Sequence, residues 1–351
     1  MGAAELVADD PALRTLRVPF DRGDLDWPER GGVLFMGARV GAALDARATS
    51  GVLCQQDLRP FADQLQRHGW HVGEPASEQR FALVMMLPPR QREARRAQLA
   101  RALDHLADGG VIMASVANHD GARSAQADMA QLAGAPAALS KHKCRVFWVA
   151  PGPDSIDDAL RLAWREHDVL RPTVDGLVAR PGLFAWDRID AASALLAECL
   201  PGSLHGRVAD LGAGAGFLSV ALLRRCPKVT AIDLYEADAR ALPAARANLE
   251  AACQAAGRDV AVEVLWHDVA AGVPRKYDAI ISNPPFHQGH ADLPQLGRAF
   301  IAAAAGALDR GGAFWMVANR HLAYEDTLRA HFAHVHIHVE RDGFKVIEAR
   351  R

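Results

Sequence analysis

The 351-residue chain is 50% hydrophobic and 23% charged, with 40 Lys and Arg against 42 Asp and Glu and a formal charge of −2. That length points to two domains, each large enough to bury a core, and the apolar content excludes disorder. No uncharged apolar run approaches the roughly 18 residues of a membrane span, and the charge balance excludes a surface that grips nucleic acid everywhere, although not a local basic patch.

The amino terminus, MGAAELVADD, is acidic where a secretory signal would be basic and then apolar, and Leu6 stands where a myristoylation signal needs Ser or Thr. A cytoplasmic protein without a membrane partner is expected. Five cysteines, Cys54, Cys144, Cys199, Cys226 and Cys253, never form a CxxC pair, so buried free thiols are expected rather than disulfides or a cysteine zinc site.

In chain order, the apolar run 33–36 leads into Gly37-Ala38-Arg39-Val40-Gly41, and the run 81–87 leads into Pro88-Pro89. Arg90, Arg92, Arg95, Arg96 and Arg101 follow, and then LADGGVIMASVANH (106–119). The same three features recur in the same order: the run 208–211 before Gly212-Ala213-Gly214-Ala215-Gly216, the run 277–283 before Pro284-Pro285, and LDRGGAFWMVANRH (308–321). Slowly growing offsets describe a duplicated globular domain with insertions, not a solenoid. The expected boundaries are a first domain over 1–155, a linker over 156–181 and a second domain over 182–351.

Within the second copy, strands at 208–211, 229–232, 260–265, 279–282 and 313–317 alternate with helices at 217–225, 237–256, 296–308 and 325–332. Such alternation predicts an α/β fold, two tandem Rossmann-like domains, each a mostly parallel sheet with helices on both faces. Ligands in these sheets bind beyond the carboxyl ends of the strands.

The glycine loop reads GxGxG, with Phe217 where a dinucleotide fingerprint needs its third glycine. Asp210 before the loop would repel a pyrophosphate yet accept a hydrogen bond from a cationic amino-acid moiety, which favours S-adenosylmethionine over NAD. Gly212, Gly214 and Gly216 then form the loop against the cofactor. Asp233 is expected at the tip of the second strand to accept both ribose hydroxyls, in preference to Glu236, and Asp268 at the end of the third strand to take the adenine amine.

Ser282-Asn283-Pro284-Pro285-Phe286 is the most specific motif. The prolines stiffen the turn and remove two backbone donors, so the Asn283 side-chain oxygen and the Pro284 carbonyl can converge on one planar amine, with Phe286 offering a face to a base. Two acceptors draw the amine out of conjugation and stabilise the charge that develops as it attacks a sulfonium methyl, so Asn283, Pro284, Pro285 and Phe286 are the candidate catalytic residues.

ADLGAGAG, AIDLYE and SNPPF resemble motifs of class I S-adenosylmethionine-dependent amino-methyltransferases. PGLFAWDRIDAASALL before the loop, SNPPFHQG, GGAFWMVANRHLAYEDTLRAHF and the final GFKVIEAR are similar to the bacterial rRNA guanine-N2 methyltransferases of the RsmC/RlmG group, from about Pro181 to the carboxyl end. The resemblance implies an active second domain and a degenerate first one, with rRNA or the small ribosomal subunit as partner. It also implies that Phe184 and Asp190 help to close over the cofactor. The first copy agrees, having Arg39 in place of a loop glycine and Leu87 in place of asparagine.

The arginines after Pro88-Pro89 are read equally as contacts to rRNA phosphates or as a solvated helix face partnered by Glu93 and Asp104. His334, His336 and His338 alternate with apolar residues as on an exposed strand face, and with His331 they lack a completing carboxylate or Cys, so no metal is expected. The other activities considered are methylation of a 23S rRNA guanine and of a protein glutamine, and the non-enzymatic reading is an rRNA-binding assembly factor.

Overall fold

The structure, a computed structural model, describes residues 10–41, 51–285, 287–288, 291–292 and 294–351. The chain divides into two compact units, Met1–Val169 and Leu170–Arg351.

The first unit holds β1 (Val33–Met36), β2 (Val52–Gln55), β3 (His71–Val72), β4 (Phe81–Met86), β5 (Leu106–Ala117), β6 (Ala137–Lys141) and β7 (Cys144–Val149). The second holds the hairpin β8 (Arg171–Pro172) and β9 (Val178–Ala179), and then β10 (His205–Leu211), β11 (Lys228–Glu236), β12 (Ala261–Trp266) and β13 (Tyr277–Ser282). Next come the short pair β14 (His287–Gln288) and β15 (Ala291–Asp292), β16 (Leu308–Asn319), β17 (His334–Arg341) and β18 (Phe344–Arg350).

The first sheet runs β3-β2-β1-β4-β5-β7-β6 and the second β12-β11-β10-β13-β16-β18-β17. These are one topology written twice. In each, six strands run in one direction and one, β7 or β18, inserts antiparallel between the last two of them. Central strands such as β4, FALVMM, read as continuous apolar runs because helices cover both faces. In the second unit one core lies under the helices Ala191–Cys199, Phe217–Arg225 and Leu242–Ala256, and a second core lies on the opposite face under Pro294–Ala307.

The expected linker is corrected. Its first part is a helix, Asp158–Arg165, capped by Asp157 and packed through buried Trp164 into the core of the first unit. Its last part forms the β8–β9 hairpin of the second unit, where Asn248 accepts from the Val178 N–H (2.7 Å) and donates to the carbonyls of Val178 (2.9 Å) and Ala215 (2.8 Å). A polar stretch looked like a tether because its apolar contacts are few and long-range.

The arginine cluster is partnered differently from the solvated-face expectation, which paired it with Glu93 and Asp104. Asp128 is fully buried and accepts from Arg92 (2.9 Å) and Arg96 (2.9 Å), with Arg95 at 3.7 Å. Arg90 pairs with Asp120 and Arg101 with Asp168. These groups turn toward carboxylates of their own unit, and Asp128 takes the place foreseen for Glu93 and Asp104.

Candidate active site

Glycine conformation builds the floor of the site. Gly212, Gly214 and Gly216 all have positive φ (74°, 54° and 87°), where a side chain would strain the backbone. A Cβ on Gly216 would lie 2.9 Å from Leu249 Cδ2 and 3.4 Å from Ala245 Cα, so a side chain there would also push on the helix Leu242–Ala256. A Cβ on Gly214 would meet nothing within 4 Å, so its face is open to the cleft. The Gly212 and Ala213 N–H groups both donate to the Tyr235 carbonyl (2.8 and 3.2 Å), which bends the chain over the end of β11.

Asp210, near the end of β10, is fully buried under the start of the helix Phe217–Arg225. It accepts from Ser219 Oγ at 2.7 Å, and among the described residues its Oδ1 has no hydrogen-bond partner. Burial pushes its carboxyl up to about 7, Ser219 opposing the rise. It stands behind the loop, not among the residues that line the cleft.

The expectation for Asp233 is corrected. β11 does not end at Ile232 but continues to Glu236, so Asp233 pairs with Ala209 and Glu263 in mid-strand. On the sheet face shared with Tyr235 and Tyr277, its carboxylate accepts from Arg207 (3.0 Å), Arg275 (3.1 Å) and the Tyr277 hydroxyl (2.8 Å). Glu236 holds the strand tip instead. It accepts from the Gly214 N–H at 2.7 Å and the Asp238 N–H at 2.8 Å, and burial pushes its carboxyl upward. Extending the strand through the apolar pair Leu234-Tyr235 would have found it. Asp268 lies just beyond β12, next to the His267 N–H that donates to the Glu236 carbonyl (2.9 Å), and caps the following turn through the Ala270 N–H (3.0 Å).

The Asn283 turn closes the other side. Ser282 Oγ donates to the Leu211 carbonyl (2.6 Å), tying the end of β13 to the end of β10. Pro284 is buried and Pro285 exposed, and Pro285 Cδ is 3.9 Å from where a Gly212 Cβ would stand. Asn283 lines one cleft with Gly212, Gly214, Asp190, Ser193 and the exposed ring of Phe184. Its Nδ2 donates to Asp190 Oδ2 (3.0 Å) and Ser193 Oγ (2.8 Å). Phe286 lies outside the described residues.

The first unit offers the same frame with different chemistry. Gly37 and Ala38 donate to the Gln55 carbonyl (2.9 and 3.2 Å) as Gly212 and Ala213 do to Tyr235. Gln56 stands where Glu236 does, with its Nε2 on the Ala38 carbonyl (2.6 Å). Arg39 replaces Gly214; it pairs with Asp10 (2.5 Å) and lies over the Phe61 ring. Leu87 replaces Asn283 and is buried.

Residues 176–348 match the model of the methyltransferase small domain family. The chain is 32% identical over 300 residues to ribosomal RNA small subunit methyltransferase C of Shigella sonnei (strain Ss046), covering 81% of this chain and 84% of the relative. It is 34% identical over 263 residues to the protein of that name from Escherichia coli O9:H4 (strain HS), covering 74% and 73%. The chain belongs to the ribosomal RNA small subunit methyltransferase C family. Members of this family are enzymes, and S-adenosylmethionine is the methyl donor. The fold is similar to that of the T. thermophilus 16S rRNA N2 G1207 methyltransferase solved with AdoMet and guanosine, at a TM-score of 0.77 and 23% identity over 97% of this chain and 92% of that one.

Among the described residues no helix is long and apolar enough to cross a membrane, and no group of three His, Cys, Asp or Glu side chains is placed to hold a metal. His334, His336 and His338 lie on the exposed face of β17, and His338 pairs with Glu348 (2.9 Å).

Proposed function

We propose that the second unit transfers a methyl group from S-adenosylmethionine to the exocyclic N2 amine of a guanine in 16S rRNA. The relatives named for the small-subunit rRNA support the substrate, and one observation carries the chemistry: both amide hydrogens of Asn283 are engaged by Asp190 and Ser193, which leaves Oδ1 as an acceptor beside the glycine loop.

The residues present fit the cofactor, as the open face of Gly214, the Glu236 carboxylate at the strand tip and the unpartnered Asp210 Oδ1 indicate. Glu236 would accept from the ribose hydroxyls, Asp268 from the adenine amine, and the 212–216 loop would border the amino-acid part, with the Asp210 charge behind it. S-adenosylmethionine supplies an electrophilic methyl on a sulfonium sulfur.

Asn283 Oδ1 and the Pro284 carbonyl accept the two N–H bonds of the guanine amine, and their negative ends stabilise the positive charge that grows on nitrogen. No strong base is needed, because the proton leaves a cationic nitrogen. Guanine N2 lies on the base-pairing edge, so the base enters unpaired or flipped out, with Phe286 as its stacking face. The first unit, with Arg39 at the position corresponding to Gly214 and Leu87 at that corresponding to Asn283, supports the fold and positions RNA.

Asn283→Ala should abolish methylation of 16S rRNA while cofactor affinity, read by calorimetry, stays within a few-fold. Wild-type-like turnover in that variant would refute the catalytic turn, and equal methylation of 23S rRNA would refute the substrate.

A further inference from the structure

We propose that Asp190 and Ser193 are positioning residues for methyl transfer, fixing the amide of Asn283 so that its oxygen, and never its nitrogen, meets the substrate amine. The inference rests on Asn283 being the amine acceptor.

An asparagine side chain is nearly symmetric in shape, so packing alone does not decide which end faces a ligand. A carboxylate can. Asp190 Oδ2 accepts from the Ser193 backbone N–H at 2.9 Å and from Asn283 Nδ2 at 3.0 Å, while Ser193 Oγ lies 2.8 Å from the same Nδ2. An ionised carboxylate only accepts, so the group facing it must be the NH₂, and its two hydrogens are both consumed. A flipped amide would set Oδ1 against the Asp190 oxygen and turn two donors toward the guanine amine, which also needs acceptors. The charge acts through the amide as well: a carboxylate pulling on N–H polarises the conjugated group and strengthens Oδ1 as an acceptor.

Asp190 is also the N-cap of the helix Ala191–Cys199, and the clamp differs from plain capping in a way the first unit displays. Asp10 caps the corresponding helix Pro11–Arg22, accepting from the Ala12 and Leu13 N–H groups, so the cap is present in both copies. Where Leu87 replaces the asparagine, the second oxygen of that aspartate turns to Arg39. Capping therefore explains an aspartate at the head of the helix, but not its contact with Nδ2.

Asp190→Asn keeps a good N-cap, and so separates the two roles. Losing a charge-assisted bond that orients the amide should lower kcat by about 10- to 100-fold, with KM for rRNA, cofactor affinity and melting temperature near wild type. Ser193→Ala should lower kcat less and in the same sense. The exchange Asp190→Asn with Asn283→Asp restores one donor facing one acceptor and leaves a carboxylate oxygen toward the amine. Its kcat should exceed that of Asn283→Asp alone, where two carboxylates meet. A kcat for Asp190→Asn within two-fold of wild type, or a double variant no faster than Asn283→Asp alone, overturns the clamp. If Asn283→Ala itself keeps turnover, the catalytic turn fails first, so the two failures are told apart.

Discussion

Glu236 Oε2 accepts the Gly214 backbone N–H at 2.7 Å, so the tip of the second strand and the middle of the glycine loop share one carboxylate. Its other oxygen holds the Asp238 N–H at 2.8 Å, which fixes the turn into the next helix. Asp233, three positions earlier, is saturated by Arg207, Arg275 and Tyr277 on the opposite sheet face. Glu236→Ala should therefore weaken S-adenosylmethionine binding by 10-fold or more, whereas Asp233→Asn should leave binding within a few-fold and lower the melting temperature. Calorimetry and thermal melts on the two variants check this; the reverse pattern would restore Asp233 to the ribose role.

Much of this was legible in the residues. GAGAG, SNPP and their faint doubles in the first half yield the duplication, the sheet class and the cleft that Asn283 shares with the glycine loop, because glycine and proline have few physical uses. The errors share one cause. Asp233 looked like a strand end because a carboxylate inside a sheet is costly, and its cost is met by arginines and a tyrosine from three separate strands and turns. Arg92, Arg95 and Arg96 find their counter-charge at Asp128, 36 positions beyond Arg92. Trp164 makes a tether into a packed helix. Each depends on a partner that no local pattern displays.

Asp210 carries a pH prediction. Its carboxyl, raised by burial to about 7 from an ordinary 3.8, favours the protonated folded state. Its contribution to the cofactor-free protein is complete below pH 4 and is lost as pH rises through 7, a cost on the order of a few kcal/mol. Asp210→Asn should melt higher than wild type at pH 8 and closer to it at pH 5, yet bind cofactor more weakly. An unchanged difference between the two pH values would show that Asp210 is not charged at the cost of folding.

One cofactor should bind per chain. In the first unit the residue corresponding to Gly214 is Arg39, whose guanidinium pairs with Asp10 and lies over the Phe61 ring. Calorimetric titration should give a stoichiometry near one, with the single event weakened by Glu236→Ala and unaffected by Arg39→Gly. A second binding event in the wild type would show that the first unit retains a working site.

Asp128 should be a stability centre of the first unit. It joins the helices Arg92–Asp104 and Ala122–Ala133, and its carboxylate faces three guanidinium groups, of which Arg95 is itself buried. Removing it leaves the Arg95 charge without a counter-ion, so Asp128→Ala should cost about 3–5 kcal/mol in urea unfolding. Burial raises the Asp128 carboxyl, but Arg92 and Arg96 together outweigh it and hold it below the usual carboxylate range. A depressed pKa means that this stabilisation is full above pH 4 and is lost as pH falls further. The wild type should thus lose more stability than Asp128→Ala between pH 5 and pH 3. Parallel losses would show that the three arginines do not depend on this carboxylate.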